Sequence, residues 1–571
     1  MRPTMMSLSA SRILAVVVLL VAGLLARRWT PDALLDRAGL LLDSRWAPVV
    51  AGVGTSLIML WVWGSLRQIP VIHDEIAYLA QARIFSSFHL YAPGRPLPEF
   101  FEQYHMFVTP KFMAKYPPGH SLILVPGIWL GIPTLVPLIL AGITGAFTFL
   151  LARRLTNAWI ALTTWLLWTT TPGVLEFMPS YRSEATTSAL WLIGWWALLR
   201  WRERRERRWL LLLAVSVGLG VLTHPFTWVL FAIPAAAVVT AVVIRYRKWR
   251  DLGVAVSVGS VFVVLLFGWN DLTMGNALRF PWSVYAQTYL PADAIGFGVD
   301  TAAPLRALPP DMVRFASAIR EEHAHYTVAR LPGSLLHRLI AIAKSVWGGW
   351  RVVLVPCVAL GLTAMSAELS FGLLSCLVVV AGYLLYGYGV SSTVYYVELY
   401  PVAAFATALG VWRLMNLRAT VRESIGVANT RVKSPRAATA TLVVCTLLIP
   451  MWLTSVPEGR NLLAARARQR VFFRAVTASL PGRRIMVFVK YSPTHDPNST
   501  FIENDPDLAR ARIWTVHDRG PDDARLIRFA PGRTPYLFDE AAGTIARLNA
   551  SAVPGPPEFV RMGFGAASPQ S

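Results

Sequence analysis

Residues 134–152, TLVPLILAGITGAFTFLLA, form an uncharged apolar run that ends at Arg153 and Arg154. A bilayer core about 30 Å thick needs roughly 20 such residues in an α-helix, so this run predicts a membrane span. Similar runs recur along most of the chain. We predict twelve spans, near 10–26, 47–66, 134–152, 158–176, 184–201, 209–222, 225–244, 252–270, 346–363, 369–388, 398–414 and 437–455.

The composition agrees with a polytopic membrane protein. Of the 571 residues, 55% are apolar and only 15% are charged, and the mean hydropathy is +0.48. Soluble domains carry about 25% charged residues, so the composition argues against an ordinary cytosolic enzyme. The three cysteines, Cys357, Cys376 and Cys445, all lie in apolar runs. A disulfide framework and a cysteine-based zinc site are therefore not expected.

The excess positive charge lies mostly in every second connection between the predicted spans. Connections 27–46, 153–157, 200–208, 245–250 and 413–436 hold 22 basic and 6 acidic residues, a net charge of +16 out of +22 for the chain. By the positive-inside rule these connections face the cytoplasm, which places both termini outside. The charge is thus explained by topology. We expect membrane lipids, and no nucleic acid, as partners.

Three sizeable segments fall on the outer side of the membrane in this topology. Two are outer loops, 67–133 and 271–345, of a transmembrane domain at residues 1–455. Within the first, the apolar stretch 121–131 is too short to span and predicts a helix at the membrane interface. The third is the C-terminal segment 456–571.

The C-terminal segment differs in pattern from the rest of the chain. RIMVFVKY at 484–491 and RIWTV at 512–516 alternate like strands, and 522–529 is typical of a helix. We therefore predict an all-α polytopic membrane protein with a small extracytoplasmic α/β C-terminal domain.

Acidic residues stand at the outer ends of two predicted helices. The stretch VIHDEIAYLAQA at 71–82 opens a helical pattern with Asp74 and Glu75 in its first turn, and Glu184 begins the fifth span. Placing an acidic side chain at membrane depth costs free energy, so acidic residues found there are candidates for a functional role. Two structural explanations are also open: acids are favoured at helix starts by the helix dipole, and Arg182 could form an ion pair with Glu184.

Cations and hydroxyls gather on the same side of the membrane. Lys115, Tyr116, Arg182 and His224 all lie in or beside the outer segments. A phosphate leaving group needs such donors, because negative charge builds on its oxygens as the bond breaks. His224 precedes a proline at a tight turn, which is equally typical of a capping or core histidine.

These motifs, in this order, resemble the GT-C polytopic glycosyltransferases. The resemblance rests on the Asp74–Glu75 pair, KYPPGH at 115–120, Glu184, and YVELYP at 396–401, and it covers roughly residues 45–415. It is strongest to the protein O-mannosyltransferase and aminoarabinose-transferase type and to bacterial relatives described as glycosyltransferase family 39-like. A GT-C fold with about twelve transmembrane helices is what this resemblance implies.

The resemblance also implies an activity and roles for residues. A sugar would pass from a polyprenyl-phosphate carrier to a hydroxyl of a lipid, glycan or protein acceptor on the extracytoplasmic face of the plasma or inner membrane, with inversion. Asp74 would be the catalytic base, Glu75 would assist in positioning, and Glu184 would be the second acid. Donor-phosphate contacts are expected from Lys115, Tyr116, Arg182 and His224.

No cofactor is assigned from the sequence. Some relatives bind a divalent metal ion, but no His, Asp or Glu cluster in this chain has ligand spacing tight enough to predict one.

Two other classes of protein compete with a transferase. A polytopic transporter or lipid flippase would have broken helices at matching places in two halves and a site near the midplane. The ionisable residues of this chain cluster instead at the outer ends of the spans. A non-catalytic assembly factor, whose C-terminal segment binds a partner, would not need Asp74.

Overall fold

The computed structural model describes residues 10–387, 392–415, 435–496, 498–548 and 559–560. Most of these residues are helical, and the strands belong to two small sheets. The helices are α1 (Ala10–Trp29), α2 (Asp32–Asp43), α3 (Ala47–Trp63), α4 (His73–Ser86), α5 (Pro118–Trp129), α6 (Leu135–Leu155), α7 (Ala158–Thr169), α8 (Pro172–Phe177), α9 (Glu184–Arg204), α10 (Arg207–Thr223), α11 (Pro225–Tyr246), α12 (Trp249–Met274), α13 (Pro281–Tyr289), α14 (Pro310–Ala324), α15 (Leu331–Trp347), α16 (Val355–Leu362), α17 (Ala367–Tyr383), α18 (Leu399–Met415), α19 (Pro435–Ser479) and α20 (Asp523–Phe529). The strands are β1 (Ala92–Pro93), β2 (Met106–Phe107), β3 (Lys111–Ala114), β4 (Ile485–Lys490), β5 (Ile513–His517), β6 (Thr534–Asp539), β7 (Thr544–Arg547) and β8 (Phe559–Val560).

The chain divides into two compact units. The bundle unit consists of Met1–Gln68, Ile132–Leu266 and Val328–Leu463, and the loop unit consists of Ile69–Gly131, Phe267–Thr327 and Ala464–Ser571. The loop unit thus contains most of both predicted outer loops together with most of the C-terminal segment. The domain boundary that we predict at residue 455 falls inside α19.

The apolar helices confirm an integral membrane protein of mainly helical fold. Within the part of the chain that the structure describes, α6, α11 and α12 are long and apolar enough to cross a membrane. Two bent helix pairs meet the same criterion: α2 with α3, bent by 85°, and Val328–Trp347 with Arg351–Leu362, bent by 106°. The structure therefore gives three to five clear spans, and the predicted count of twelve is not confirmed.

The predicted fourth span is broken, because α7 ends before Pro172 and α8 begins at it. A residue before proline is disfavoured in the α conformation, and Thr171 is accordingly extended. The Thr171 amide bonds to Trp168 O, so Leu167 O lacks the usual helical donor. The buried Arg351 donates to Leu167 O at 2.7 Å, and also to the hydroxyls of Thr170 and Thr171.

Other parts of the topology also differ from a simple loop-and-span reading. The predicted connection 27–46 contains α2, and the predicted outer loop 271–345 contains α13, α14 and most of α15. Most of the connection 413–436 lies outside the described residues. The helix expected near 121–131 is confirmed as α5, while its place at a membrane interface stays a prediction.

Small residues let α3 and α6 approach closely in the bundle unit. A Cβ atom added at Gly52 would lie 2.8 Å from the carbonyl oxygen of Gly142. The Ser56 hydroxyl also donates across this contact to Leu138 O at 2.9 Å. Close backbone approach of this kind drives helix association in lipid, where burial of apolar surface adds little.

The start of α4 in the loop unit is fixed by the Glu75 carboxylate. Its Oε2 accepts the backbone N–H groups of Val71 at 2.6 Å and Ile72 at 3.2 Å, just before the helix begins. These amides would otherwise lack a partner at the helix N-terminus. Helix α4 is buried along much of its length, and its Ala77, Ala80 and Ile84 pack against the first sheet.

The first sheet is small and antiparallel, with strand order β1–β3–β2. Met106 pairs with Ala114 and Phe107 with Met113. One step further, the Lys115 amide donates to His105 O at 2.9 Å. This pairing places His105 directly beside Lys115.

The second sheet has the order β5–β4–β6–β7–β8 and confirms the strands predicted at 484–491 and 512–516. Strands β5 and β6 run parallel to the central β4, whereas β7 and β8 are antiparallel additions. The predicted helix at 522–529 is confirmed as α20.

Both faces of β4 are buried, which explains its nearly continuous apolar sequence. Ile485, Val487 and Val489 face one apolar cluster, and Met486 and Phe488 face another. Successive side chains of a strand point to opposite faces, so a central parallel strand must be apolar at every position.

We predict that Gly52→Ala lowers the thermal unfolding temperature of the detergent-solubilised protein by several degrees. The added Cβ would meet the Gly142 carbonyl and force α3 away from α6. Gly259→Ala, in α12, is the control, because nothing lies within 4 Å of its added Cβ. This control should be neutral or slightly stabilising, since alanine favours a helix. Equal effects of the two substitutions would contradict the close contact.

We predict that Glu75→Ala destabilises the loop unit by about 1–2 kcal/mol, because two backbone amides at the start of α4 lose their acceptor. Glu75→Gln keeps a carbonyl oxygen at this place and should cost less. Urea titration with a tryptophan fluorescence readout measures both. An alanine variant as stable as the unchanged protein would show that the cap contributes nothing.

Candidate active site

Asp74 stands in the first turn of α4 with its side chain 38% exposed. Its Oδ1 accepts a hydrogen bond from the Tyr116 hydroxyl, and His105 Nε2 lies 3.9 Å from the same oxygen. The carboxylate is thus oriented by neighbours and still open to solvent. A base that must reach a substrate hydroxyl needs both properties.

The structure brings together the four sequence-predicted residues of the loop unit. Asp74 and Tyr116 are hydrogen-bonded, Lys115 lies next in the chain, and Glu75 caps the same helix turn. Because the Glu75 carboxylate is occupied by backbone amides, its arrangement fits the positioning role that the resemblance implies. A direct catalytic role for Glu75 stays a prediction.

Lys115 is a buried cation in an aromatic environment. Its Nζ lies 5.1 Å from the ring centre of Tyr285 and 5.5 Å from that of Tyr116. Burial lowers the pKa of Lys115, while the charges of Asp293 and Asp74 act in the opposite direction. No ion pair to Lys115 occurs among the residues that the structure describes.

His105 is a residue of this cluster that the sequence analysis missed. Burial, together with the neighbouring charge of Lys115, holds the pKa of His105 well below its usual range, so the imidazole is neutral. Its backbone N–H donates to the Tyr285 hydroxyl at 2.8 Å. Burial also raises the pKa of Tyr285, which keeps that phenol protonated.

Arg182 and Glu184 lie together in the bundle unit. Arg182 Nε is 3.9 Å from Glu184 Oε2, and each side chain is 15% exposed. The guanidinium also lies over the Phe177 ring, with Cζ 4.7 Å from the ring centre. The structural ion pair that we considered for these residues is therefore present. It does not by itself exclude a functional role.

His224 connects α10 and α11 and belongs to a hydrogen-bonded chain. Its Nδ1 is 3.0 Å from Thr227 Oγ1, which is 2.7 Å from the Tyr383 hydroxyl. Tyr383 is in edge contact with Tyr396, whose ring centre lies 5.8 Å away. His224 is thus a well-ordered polar residue that joins three segments of the bundle unit.

Arg338 is a second residue that the sequence analysis missed. Its side chain is fully buried in α15, and it donates to the Tyr396 hydroxyl and to Tyr386 O. Its Nε has no hydrogen-bond partner among the described residues. No pattern marks this position in the sequence, because it lies in a predicted outer loop, where an arginine is common.

The seven predicted residues thus fall into two groups. Asp74, Glu75, Lys115 and Tyr116 belong to the loop unit, and Arg182, Glu184 and His224 belong to the bundle unit.

A divalent metal ion finds no ready ligand set among the residues that the structure describes. Across the ranges that the structure describes, no three His, Cys, Asp or Glu side chains are arranged to hold a metal. Near Asp74, the imidazole of His105 lies 3.9 Å from the carboxylate, and the charge of Lys115 would repel a cation. We assign no step to a metal.

Comparisons with known proteins were made by sequence and by structure. Residues 132–269 match the family model of dolichyl-phosphate-mannose-protein mannosyltransferase. This match includes Arg182, Glu184 and His224 but not the four predicted residues of the loop unit. A comparison with curated proteins found no match.

Several solved structures are similar. ArnT from Cupriavidus metallidurans in the apo state has a TM-score of 0.50 and 13% identity, covering 86% of this chain and 92% of that one. ArnT from the same organism bound to undecaprenyl phosphate has a TM-score of 0.49 and 14% identity, covering 86% and 93%. The apo Archaeoglobus fulgidus oligosaccharyltransferase has a TM-score of 0.39 and 14% identity, covering 78% and 63%.

The family match includes one of the motifs of the resemblance, Glu184, and the apo ArnT structure is similar in fold over 86% of this chain. The resemblance is therefore confirmed: the chain has the fold of the GT-C polytopic glycosyltransferases.

Proposed function

We propose that this protein is a membrane glycosyltransferase that moves a sugar from a polyprenyl-phosphate carrier to an acceptor hydroxyl, with Asp74 as the base. The family match to dolichyl-phosphate-mannose-dependent enzymes supports a lipid-phosphate donor. The observation that carries the proposal is the pairing of an oriented, accessible carboxylate, Asp74, with a buried ammonium group, Lys115, in one cluster.

The proposed reaction is a single displacement with inversion. The acceptor hydroxyl oxygen bonds to the anomeric carbon, and its proton passes to the Asp74 carboxylate. The bond from the anomeric carbon to the phosphate oxygen breaks, and its electron pair leaves with the polyprenyl phosphate. The Tyr116 hydroxyl holds the Asp74 carboxylate in place and stabilises its charged form.

The leaving phosphate needs cations, because it gains negative charge in the transition state. Lys115 is our first candidate, since it is buried without an ion pair among the described residues. Anion binding would also favour the protonated form of this lysine, whose pKa burial lowers.

Residues of the bundle unit have roles in the same proposal. Glu184 is proposed as the second acid, and Arg182 and His224 as further donor-phosphate contacts. We add Arg338 to these, because a fully buried guanidinium with an unpartnered Nε suits an anionic group. We further propose that the reaction takes place on the extracytoplasmic face of a plasma or inner membrane, as the basic connections imply.

We predict that Asp74→Asn lowers the rate of sugar transfer by at least about 100-fold, because the amide cannot accept the acceptor's proton. The assay uses purified protein in nanodiscs with a panel of polyprenyl-phosphate sugars, and mass spectrometry of carrier and acceptor. Asp300→Asn is the matched control, because Asp300 is an exposed turn residue of the same unit. It should leave transfer unchanged.

A folded Asp74→Asn protein with undiminished transfer would contradict the assignment of the base. If no sugar of the panel is transferred by the unchanged protein, while the protein moves a lipid across the bilayer, the transporter alternative would replace the proposal.

We predict that Tyr116→Phe moves the acidic limb of the rate–pH profile to higher pH. The phenol donates to the Asp74 carboxylate, so its loss destabilises the charged form, and the base becomes protonated at a higher pH than before. Rates between pH 4 and pH 9 measure this shift. A profile that falls uniformly, with no movement of the acidic limb, would show that Tyr116 does not act through Asp74.

A further inference from the structure

The loop unit contains a cavity whose lining includes none of Asp74, Glu75, Lys115 and Tyr116. Its volume is about 290 Å³, and it is lined by residues of α4, of α19 and of the second sheet with its connections. The charged residues that line it are Arg83, Arg470, Arg474, Glu503 and Asp505. Arg83 follows Asp74 by nine residues, which corresponds to about 13 Å along α4.

Three arginines of this cavity share one carboxylate. Arg470 and Arg474 each bond Glu503 Oε2 through Nη2, and Arg83 Nη1 lies 3.6 Å from Glu503 Oε1. Burial alone would raise the pKa of Glu503, but the charges of these three arginines lower it to about 2. Glu503 is therefore ionised at neutral pH. Even with Asp505 included, positive charge remains in excess among the lining residues.

The donor groups around Glu503 are also in excess. Three guanidinium groups offer many more N–H donors than a single carboxylate can accept. Arg470 is almost completely buried, with 3% of its side chain exposed, yet its Nε has no partner among the described residues. Its Nη1 donates to Thr500 O at 2.8 Å, which fixes the side chain in the wall of the cavity.

Part of the cavity lining is fixed by hydrogen bonds between segment 503–504 and β5. The Asn504 side chain bonds both backbone groups of Thr515, at 2.7 Å to O and 3.0 Å from N. The Thr515 hydroxyl in turn bonds the Glu503 backbone on both sides, at 2.9 Å and 3.0 Å. Segment 503–504 is thus attached to β5, and the arginines surround a fixed carboxylate. A preformed site loses less free energy on binding than a mobile one.

Phosphate is the anion that this arrangement fits best. Its oxygens accept parallel hydrogen bonds from a guanidinium fork, and it carries more charge than a carboxylate. The side chains of Arg83 and Arg474 are 37% and 38% exposed, so both are accessible to an incoming ligand. A cavity of about 290 Å³ is at the small end of ligand pockets, with room for a phosphate and a sugar-sized group.

We propose that this cavity is a second phosphate-binding site, separate from the Asp74 cluster, which holds the phosphate group of a small ligand. The proposal does not depend on glycosyl transfer. The same chemistry could be presented by a soluble phosphorylated sugar or by the headgroup of a lipid that reaches the loop unit.

Titration of the full-length protein in nanodiscs with inorganic phosphate, at constant ionic strength, tests the proposal. Arg83→Gln with Arg474→Gln should weaken phosphate binding at this site at least about tenfold, since charged hydrogen bonds are lost. Arg510→Gln is the control, because Arg510 is 91% exposed and does not line the cavity. Lys115→Gln separates this site from the proposed donor site and should leave cavity binding intact.

The thermal unfolding temperature of each variant shows whether it is folded. Arg474→Lys keeps the positive charge but loses the parallel N–H donors of the guanidinium group. We expect the affinity of Arg474→Lys for phosphate to lie between that of the unchanged protein and that of Arg474→Gln. Absence of saturable binding to the unchanged protein would overturn the proposal. Binding that the double variant retains, or that Lys115→Gln alone abolishes, would also overturn it.

Two further arms identify the source of the phosphate and separate this site from the reaction. Displacement of inorganic phosphate by a soluble hexose phosphate supports a soluble ligand, and displacement only by polyprenyl phosphate in the nanodisc supports a lipid headgroup. Asp74→Asn should lose transfer and retain phosphate binding in the cavity. If it loses both, the cavity is not a separate site.

Discussion

The loop unit depends on one short interaction, the pair of hydrogen bonds from the backbone amides of Val71 and Ile72 to Glu75. These bonds determine the residue at which α4 begins and therefore the direction in which the preceding side chain, Asp74, extends. The same helix carries Arg83 toward its other end, where the cavity lies. A single cap thus sets the register of both sites that we assign to this unit. An acid that occurs at a helix start for a structural reason can serve function by fixing its neighbour.

Much of the fold was predictable because the lipid environment and the spacing of apolar residues both constrain secondary structure. A long uncharged run predicts a helix in lipid, since every backbone polar group must find a partner within the chain. The pattern of 484–491 likewise predicted the strand β4, although not that both of its faces are covered. The count of spans was less predictable. Bends, such as the one between α2 and α3, depend on packing between distant segments that hydropathy does not record.

The candidate site was predictable only where chemistry and position in the chain coincide. Asp74 is conspicuous in the sequence because an acidic residue close to a membrane span costs free energy. His105 gave no such signal, because its importance comes from the β2–β3 pairing that places it beside Lys115. Arg338 and Arg470 were hidden for a related reason: an arginine is unremarkable in sequence, and its full burial appears only in three dimensions.

Arg351 differs from the other buried cations, because it donates hydrogen bonds to a backbone carbonyl and two hydroxyls at the break between α7 and α8. The proline that ends α7 removes a helical donor, and a side chain 179 positions later in the chain replaces it. Leu167 O also accepts from the Thr171 hydroxyl at 2.9 Å, so the guanidinium adds a charged donor to a carbonyl that is already hydrogen-bonded. The break thus provides acceptors and the guanidinium provides donors, and each satisfies polar groups that would otherwise be buried without a partner.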